Sequence, residues 1–323
     1  MTTENAQTMQ AVVQDRAGGP EVLRLTEVPR PVPGPAEILV RVHAAGVNPV
    51  DWKVRERGFA FYGQQPPFTV GWDVSGVVEE VGPGVTLFAP GDEVFGMPRF
   101  PQVASGYAEY VTAPSRHFAR VPEGLGHVRA AALPLAALTA WQALVDTADV
   151  RPGQRVLIHA AAGGVGHLAV QIAKARGAYV IGTASAGKHD FLRGLGADEL
   201  IDYTAQDFAE TVRDVDIVID TIGGEYAGRS LRTLKRGGTL VAIVPPAEDF
   251  PWEQAREAGV RAVFVMVEAD GTGMKEIAAL VESGQLRAEV AATFPLAEAG
   301  RAHELGETNR TAGKIVLTVA DRP

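Results

Sequence analysis

Residues Arg155–Lys174 read RVLIHAAAGGVGHLAVQIAK, and this stretch decides the fold of the chain. The branched apolar run Val156–Ile158 predicts a buried strand, the glycine-rich turn Ala160–Gly166 follows, and apolar residues at helical spacing come next. A strand, a glycine turn and a helix place a phosphate against free amide groups at a helix N-terminus, where the helix dipole also favours an anion. The stretch therefore predicts the phosphate-binding turn of a dinucleotide site.

The spacing of the turn fits the dinucleotide fingerprint G-x-G-x-x-G, with Ala161 in place of the first glycine. Gly163 would let the backbone approach a phosphate, and Gly166 would let the helix pack close to its strand. A glycine-rich turn alone is often only a turn, and the missing first glycine weakens the match. The strand before the turn and the helix after it favour cofactor binding by Gly163, Gly164, Val165 and Gly166.

The residues after the second strand indicate which dinucleotide binds. Ala178–Thr183 predicts that strand, and an NAD enzyme of this type places Asp or Glu at its end to bind the ribose 2′-hydroxyl. Here Ser185 and Lys188 follow, and no acid appears before Asp190. Because a hydroxyl and an ammonium would hold a 2′-phosphate that a carboxylate would repel, we predict NADPH. The alternative is that Lys188 is an ordinary solvated residue in the first turn of a helix.

Composition excludes several classes of function. The chain has 323 residues, a net charge of −9 and no cysteine. The acidic charge argues against nucleic acid and acidic membranes as partners, and the absence of cysteine excludes disulfides, thiolate chemistry and cysteine-ligated zinc. Met1–Gln10 lacks the features of a signal peptide, and Ala130–Val145 is too interrupted for a membrane span. We expect a cytoplasmic protein acting on a small molecule, and a homodimer stays open.

The chain changes character near residue 130. Before it, proline and glycine punctuate short β-rich runs, which is typical of a compact, mostly antiparallel β domain. After Pro134, strand and helix patterns alternate, which predicts a doubly wound parallel sheet of six strands.

The tail contains two further strand-like segments, Glu289–Phe294 and Lys314–Val319. We expect them to rejoin the first domain, because an orphan pair of strands needs a sheet. The sequence thus predicts an α/β protein with a first domain over residues 1–130, completed by 285–323, and a dinucleotide-binding domain over 131–284.

Motifs along essentially the whole chain resemble, in order, those of a known superfamily. They are AGVNPVD (Ala45–Asp51), GWDVSGVVEEVG (Gly71–Gly82), GDEVFG (Gly91–Gly96), LTAWQAL (Leu138–Leu144), the cofactor turn and GKIVL (Gly313–Leu317). The chain resembles zinc-independent medium-chain dehydrogenases/reductases of the quinone oxidoreductase branch, and NPVDWK (Asn48–Lys53) is similar to chloroplast-envelope quinone oxidoreductases and alkenal/enone reductases. The resemblance implies a GroES-like catalytic domain joined to a Rossmann domain, with the active site in the cleft between them.

The resemblance also shows where this chain departs from the zinc alcohol dehydrogenases of the same superfamily. Those enzymes have a cysteine where Asn48 stands and a histidine–glutamate pair where Trp72 and Asp73 stand. Since a catalytic zinc needs three protein ligands, normally nitrogen or sulfur, no such triad can assemble and we expect no metal. His159 and His167 flank the cofactor turn and are explained as strand-end and helix residues rather than ligands.

Without a metal, hydride must go to a carbon that conjugation already activates, as in a quinone or an α,β-unsaturated carbonyl. The resemblance implies catalytic roles for Asn48 as an amide donor, for Lys53 as a contact to cofactor and substrate, and for Thr139 near the nicotinamide. The bacterial quinone reductases have a tyrosine nearer the position of Lys53, so its role depends on the subgroup. Thr139 could instead bond a helix carbonyl one turn back. The resemblance implies further cofactor contacts at Tyr203, Ile222, Asn309 and Lys314. The alternative for Tyr203 is an ordinary surface tyrosine.

Aromatic residues are concentrated in the first domain. We assign Trp72 to its core, and Phe61 and Tyr62 to the lip of an apolar substrate pocket. The function that these residues favour is NADPH-dependent reduction of quinones or enones. Two alternatives stay open. One is an enoyl reductase for carrier- or CoA-bound thioesters, for which Lys53, Arg55 and Arg57 would offer the basic patch. The other is an NADPH-binding sensor or structural protein without turnover.

Overall fold

A computed structural model describes residues 7–58 and 65–319 of the chain, which divides into two compact units. Unit 1 comprises Met1–Leu135, Glu268–Glu282 and Ala288–Pro323, and unit 2 comprises Ala136–Val267 and Ser283–Arg287. The domain limits at residues 130 and 284 stay a prediction.

The strands follow one another along the described residues in two sets. Those of unit 1 before the glycine turn are β1 (Thr8–Gln14), β2 (Arg24–Pro29), β3 (Glu37–Val47), β4 (Phe68–Thr69), β5 (Asp73–Val81), β6 (Glu93–Gly96), β7 (Tyr110–Pro114) and β8 (Phe118–Arg120). The later strands are β9 (Arg155–Ile158), β10 (Tyr179–Ala184), β11 (Glu199–Asp202), β12 (Val215–Asp220), β13 (Leu234–Ala242), β14 (Arg261–Phe264), β15 (Val290–Pro295) and β16 (Lys314–Thr318).

The helices are mostly short. They are α1 (Pro49–Arg57), α2 (His127–Ala131), α3 (Pro134–Trp141), α4 (Gly166–Ala175), α5 (His189–Gly194), α6 (Phe208–Thr211), α7 (Glu225–Leu231), α8 (Trp252–Glu257), α9 (Gly271–Glu282) and α10 (Ala299–Glu307). A π-helical turn, Gln142–Thr147, follows α3. Within residues 7–58 and 65–319, no helix has the length and apolar character that a membrane span requires.

Unit 1 is built on antiparallel sheets. The larger sheet has the order β15-β16-β3-β5-β6-β8 with β7 also paired to β3, and the smaller has the order β2-β1-β4. Every pair is antiparallel except β15 with β16. In β3, Ile38, Val40 and Val42 belong to one core cluster. Leu39, whose side chain points to the opposite face of the strand, is buried as well. The prediction of a mostly antiparallel β domain is confirmed.

Unit 2 contains the predicted six-stranded parallel sheet, in the order β11-β10-β9-β12-β13-β14. Its two middle strands, β9 and β12, are buried over most of their length, as expected where helices cover both faces of a parallel sheet. Leu157, Ile181, Val218 and Leu240 are fully buried. The chain leaves β9 to one side for β10 and β11 and returns on the other side as β12. The carboxyl end of β9 is therefore the topological switch point, where open α/β sheets bind ligands.

The aromatic residues singled out in the sequence have different outcomes. Trp72 is fully buried, donates from its indole nitrogen to the Gln102 carbonyl at 2.7 Å and packs edge-on against Phe100. Its assignment to the core is confirmed. Phe61 and Tyr62 lie outside the described residues, so their place in a substrate pocket stays a prediction.

Candidate active site

The glycine turn is anchored to the neighbouring strand. It leaves β9 after Ile158 and enters α4 at Gly166. The Ala161 amide donates to the Thr183 carbonyl at 3.0 Å, and the Thr183 hydroxyl accepts from the Ala160 amide at 3.2 Å. Ala160 itself has a φ of 44°, in the left-handed region. The turn is thus held in one conformation by contacts to the end of β10.

The two glycines of the fingerprint meet different surroundings. A Cβ at Gly166 would overlap the Ala160 carbonyl oxygen and lie 2.7 Å from the Ala161 Cα, so only glycine lets α4 pack this close to the turn. A Cβ at Gly163 would have one described neighbour within 4 Å, the Ala160 oxygen at 3.2 Å. Apart from this one tight contact, no described atom lies within 4 Å of a Cβ at Gly163, so the backbone is accessible to a phosphate.

The start of α4 offers free donors. The His167 amide is the first in this region to bond back into the turn, donating to the Gly163 carbonyl at 3.0 Å. The amides of Gly164, Val165 and Gly166 have no acceptor among the described residues. Three such amides above an open glycine at the switch point fit the pyrophosphate of a dinucleotide.

His159 supports this turn from below. It is fully buried, with Nε2 2.9 Å from the Ser230 hydroxyl and Nδ1 3.3 Å from the Thr183 hydroxyl. Burial, and secondarily the Arg229 charge, lower its pKa to about 3. A neutral imidazole packed against Phe208 and Tyr226 is a structural residue, which agrees with the interpretation from the sequence.

The residues predicted to hold a 2′-phosphate follow two neighbouring strands. Ser185 and Lys188 come directly after β10, and Tyr203 comes directly after β11, with Ala184 opposite Asp202 in the parallel register. Neighbouring parallel strands have their carboxyl ends on the same side of the sheet, so these groups lie in one region of unit 2. Lys188 is partly buried, which lowers its pKa, and Tyr203 is 51% exposed.

Two carboxylates at the carboxyl ends of the parallel strands were not predicted from the sequence. Asp202 accepts from the Thr204 hydroxyl at 2.7 Å and amide at 3.0 Å; these bonds lower its pKa. Asp220 ends β12, is buried, and accepts from the amides of Ile222 and Gly223 at 2.9 Å. Burial raises its pKa, and its Oδ2 has no partner among the described residues. Asp220 could have been predicted as a site residue because it is an acidic residue at the carboxyl end of the strand beside β9.

In unit 1, three predicted or motif residues form a closed hydrogen-bonded ring. The Asn48 amide nitrogen donates to Asp73 Oδ2 at 2.8 Å, the Lys314 ammonium donates to the same oxygen at 3.3 Å, and the ammonium also donates to Asn48 Oδ1. All three side chains are buried, with exposures of 3% or less. Asp73 Oδ1 accepts from the Leu135 amide at 2.7 Å, so the carboxylate is held on both sides.

Lys314 was predicted to contact the cofactor. Its ammonium is 3% exposed and donates to the Val47 carbonyl at 2.9 Å in addition to Asn48 and Asp73. All three ammonium hydrogens therefore have protein acceptors, and a phosphate would have to displace one of them. The cofactor contact stays a prediction, and the structure gives this ammonium an internal set of partners.

A second buried chain of polar groups ends at Asp51. Arg55 donates to His303 Nδ1 at 3.2 Å, His303 Nε2 lies 3.2 Å from the Tyr107 hydroxyl, and Tyr107 donates to Asp51 Oδ2 at 2.9 Å. Because arginine only donates, Nδ1 must accept and Nε2 must carry the hydrogen. The whole chain of bonds then has one direction, toward the Asp51 carboxylate.

This arrangement shifts the pKa of two of its members, Asp51 and His303. Burial raises the pKa of Asp51 to about 7 against the lowering effect of the Asn48 amide and Tyr107. Burial, with the Arg55 charge second, lowers the pKa of His303 to about 3. Asp51 Oδ2 also accepts from the backbone amide of Asn48 at 2.6 Å, so it fixes the loop before α1.

The remaining predicted residues are distributed over both units. Lys53 is exposed on α1, where partial burial of its ammonium and then the Arg57 charge lower its pKa. Thr139 is buried on α3. Ile222 is 40% exposed after β12. Asn309 is exposed after α10 with a φ of 53°, and its backbone amide donates to the Gly306 carbonyl. Their roles toward cofactor or substrate stay predictions.

The donor set in unit 1 does not fit a catalytic zinc. Within the described ranges, no three histidine, aspartate or glutamate side chains are grouped to hold a metal ion. At the positions where zinc dehydrogenases carry ligands stand an amide, an indole and a carboxylate, and the protein's own ammonium bridges the amide and the carboxylate. Zinc prefers thiolate and imidazole, and it would meet a cation already in place.

Comparison with known proteins gives matches over almost the whole chain. Residues 34–123 match the alcohol dehydrogenase GroES-like domain, and residues 195–317 match a family described as zinc-binding dehydrogenase. Quinone oxidoreductase of Mus musculus is 33% identical, over 96% of this chain and 97% of its own.

Solved structures agree with these sequence matches. The quinone oxidoreductase from Coxiella burnetii is 39% identical with a TM-score of 0.91, covering 97% of this chain and 100% of its own. A mycobacterial protein solved in complex with NADPH is 34% identical with a TM-score of 0.84, covering 96% and 99%. The chain therefore belongs to the medium-chain dehydrogenase/reductase superfamily, in its quinone oxidoreductase branch.

Proposed function

We propose that the protein is an NADPH-dependent reductase that transfers hydride to quinones or α,β-unsaturated carbonyls without a metal ion. The observation that carries the proposal is the buried ring of Asn48, Asp73 and Lys314. It holds an amide donor where related zinc enzymes hold a Lewis acid. An amide donor is sufficient for an acceptor whose developing charge is delocalised.

The residues of unit 2 support the choice of cofactor. When bound, NADPH would supply the hydride. The amides of Gly164, Val165 and Gly166 would bind its pyrophosphate, and the open face of Gly163 would let the phosphates approach the backbone. Ser185, Lys188 and Tyr203 would bind the 2′-phosphate, since a charge-assisted bond to a phosphate is about twice as strong as a neutral one.

The residues of unit 1 support the choice of acceptor. Attack of hydride on an isolated carbonyl concentrates negative charge on one oxygen and calls for a Lewis acid or a strong acid. Attack at the β-carbon of an enone, or on a quinone, spreads that charge before any donor is needed. Asn48 would donate to the acceptor oxygen and Lys53 would contact cofactor and substrate, and water would then protonate the enolate.

One of the alternative functions loses support from the structure. An enoyl-thioester reductase would use a basic patch at Lys53, Arg55 and Arg57 for the phosphopantetheine phosphate. Arg55 is 1% exposed, and its guanidinium is bonded to the Gly18 carbonyl, to His303 and to Glu307. A patch without its central member is a weak phosphate site, so free quinones and enones are the favoured substrates.

The proposed function also implies a location, a set of partners and an oligomeric state. We propose a cytoplasmic enzyme that acts on small electrophiles, with neither nucleic acid nor membrane as a partner. We also propose a homodimer, since β14 is the edge strand of the parallel sheet in unit 2 and two large apolar side chains near it, Trp252 and Met266, are each 46% exposed. Light scattering on the purified protein would test the dimer.

A panel of matched acceptors tests the reaction class. NADPH oxidation is followed with a simple quinone, an alkenal and the saturated aldehyde of the same chain length, with Gly163→Val as the cofactor-site control. We expect turnover of the quinone or the alkenal, little with the saturated aldehyde, and none in the control variant. Turnover of the saturated aldehyde alone would overturn the proposal. A stoichiometric zinc whose removal by a chelator abolishes activity would overturn its metal-free part.

A further inference from the structure

We propose that Lys314 is a positioning residue that orients the side-chain amide of Asn48 as the hydrogen-bond donor to the quinone or carbonyl oxygen. The inference rests on the function proposed above and adds to it the group that aims the donor. It is carried by the closed ring of Asn48, Asp73 and Lys314 in unit 1.

The ring leaves the Asn48 amide one orientation. An ammonium can only donate, so the atom facing Lys314 must be the carbonyl oxygen Oδ1. An ionised carboxylate can only accept, so the atom facing Asp73 at 2.8 Å must be the nitrogen Nδ2. Lys314 and Asp73 are also paired to each other at 3.3 Å. A rotated amide would break both of its bonds and set like against like.

The same geometry leaves one amide hydrogen for a ligand. Nδ2 carries two hydrogens, and Asp73 accepts one of them. The second has no acceptor among the described residues, although Asn48 is only 1% exposed. A buried donor without an acceptor costs free energy, which a substrate oxygen would recover. The ammonium on Oδ1 also polarises the amide and makes its N–H groups stronger donors.

Lys314 also explains how a buried Asp73 can serve here. Without the ammonium, the carboxylate would be an uncompensated charge in the core. With it, the ring pairs one positive with one negative side chain, and the Val47 carbonyl takes the remaining ammonium hydrogen at 2.9 Å. The ring therefore offers a polarised neutral donor in place of a metal ion.

A double-mutant cycle tests whether Lys314 acts through Asn48. The variants are Asn48→Ala, Lys314→Met and the double variant, with Lys275→Met on the exposed side of α9 as the matched control. We expect each single variant to lower kcat by about tenfold or more while the Kd for NADPH changes less than about twofold. The double variant should be no slower than the slower single variant, because both remove one interaction.

Two results of this cycle would overturn the inference. If the double variant's reduction in kcat is the product of the two single reductions, Lys314 does not act through Asn48. If Lys314→Met weakens NADPH binding at unchanged kcat, the ammonium is a cofactor contact. Because Lys314→Met strands the Asp73 charge, the cycle is repeated with Lys314→Met/Asp73→Asn, which removes both charges. Lys314→Arg, which keeps charge and donors, should recover part of the rate.

An NMR measurement reads the ring without turnover. The chain has three asparagines, Asn5, Asn48 and Asn309, so selective ¹⁵N-asparagine labelling gives three side-chain amide pairs. The pair lost in Asn48→Ala is that of Asn48. We expect Lys314→Met to shift this pair and Lys275→Met to leave it unchanged. In the wild type, adding NADP⁺ with a conjugated ketone should move the second Asn48 proton.

The two proposals fail in distinguishable ways. A wild type that oxidises NADPH with no quinone or enone contradicts the proposed function, whereas the Asn48 signals still report on the ring. An Asn48 amide pair that is the same in wild type and Lys314→Met overturns the inference whatever the activity.

Discussion

The buried polar ring of unit 1 and the proposed phosphate site of unit 2 present their hydrogen-bonding groups in opposite ways. In unit 2 the donors are consecutive backbone amides, Gly164–Gly166, and partly or largely exposed side chains such as Lys188 and Tyr203. In unit 1 the groups are buried side chains that lie far apart in the chain, with Asn48 and Lys314 separated by 266 residues.

The difference teaches where the free energy of each site comes from. Backbone amides at a helix N-terminus are aligned by local geometry and cost nothing when no anion is bound, because water reaches them. A buried carboxylate or ammonium is costly unless its partners are in place. Substituting a buried site residue should therefore destabilise unit 1 more than substituting an exposed site residue destabilises unit 2. The following predictions test this contrast.

The same substitution at a buried and at a partly exposed lysine should have very different effects on stability. Lys314→Met leaves Asp73 without its cation and should lower the free energy of unfolding by about 3–5 kcal/mol. Lys188→Met should change it by less than about 0.5 kcal/mol. Urea unfolding of both variants checks this. Equal losses would mean that the ring contributes no more than a surface contact.

The second prediction concerns the pH dependence that Asp51 confers on unit 1. Its pKa in the folded protein is about 7, above the ordinary 3.8, so the folded state binds the proton more tightly. The stability that this proton contributes is fully present below pH 3.8 and is lost as the pH rises through 7. The loss is on the order of 4 kcal/mol. Relative to wild type, Asp51→Asn should remove this decline in urea unfolding between pH 4 and 8.

Histidines in both units provide the control of opposite sign. The pKa values of His303 in unit 1 and His159 in unit 2 are lowered to about 3, from an ordinary 6.5. In that interval the unfolded state binds a proton that the folded state does not, so their contribution makes stability rise with pH up to 6.5. His303→Gln and His159→Gln should each flatten this rise. Parallel curves for Asp51→Asn and wild type would contradict the high pKa of Asp51.

The third prediction separates the two glycines of the turn. Gly163→Val should raise the Kd for NADPH at least about 100-fold, because a side chain over this glycine displaces the pyrophosphate from at least two amides. Its melting temperature should fall less than that of Gly166→Val, since a Cβ at Gly163 meets only one described atom within 4 Å, the Ala160 oxygen at 3.2 Å. Gly166→Val should instead destabilise the fold, because its side chain meets the Ala160 and Ala161 backbone. Unchanged NADPH affinity in folded Gly163→Val would show that the phosphates bind elsewhere.

The smallest effect is expected at Lys188. One charge-assisted bond to phosphate is worth about 1.5–3 kcal/mol, so Lys188→Ala should lower the preference for NADPH over NADH by about tenfold or more. Lys174→Ala removes a lysine that pairs with Asp198 elsewhere in unit 2 and should leave the preference unchanged. Steady-state kinetics with both cofactors measure the ratio. Wild type that uses NADH equally well would refute the interpretation of the residues after β10.

Most of the fold could be predicted because its signals are local. The alternation of apolar strands and helical patterns after Pro134 predicted the six-stranded parallel sheet, and the punctuated runs before residue 130 predicted the antiparallel one. Boundaries were less accurate. The strand predicted over Ala178–Thr183 is β10, Tyr179–Ala184, so both of its ends are shifted by one residue.

The candidate sites divide in the same manner. The glycine turn can be recognised from its own seven residues, so the accessible backbone at Gly163 and the close packing at Gly166 were both predicted. The partners of Asp51 were not predicted, since Tyr107 and His303 do not belong to any motif recognised in the sequence. Lys314 was predicted as a site residue only from a motif, and that motif does not indicate which buried groups it contacts.

The sequence by itself determined the two sheets, the position of the glycine-rich turn and the absence of cysteine ligands. These depend on residue type and on spacing along a few turns of chain. Only the tertiary structure decided that Lys314 faces Asn48 and Asp73 and that Asp51 is buried at the end of a directed chain of hydrogen bonds. The physical reason is that the strength and pKa of a polar group depend on how much water is removed from it and which partners replace that water. Both are set by strand pairings such as that of β16 with β3, between residues more than 200 positions apart.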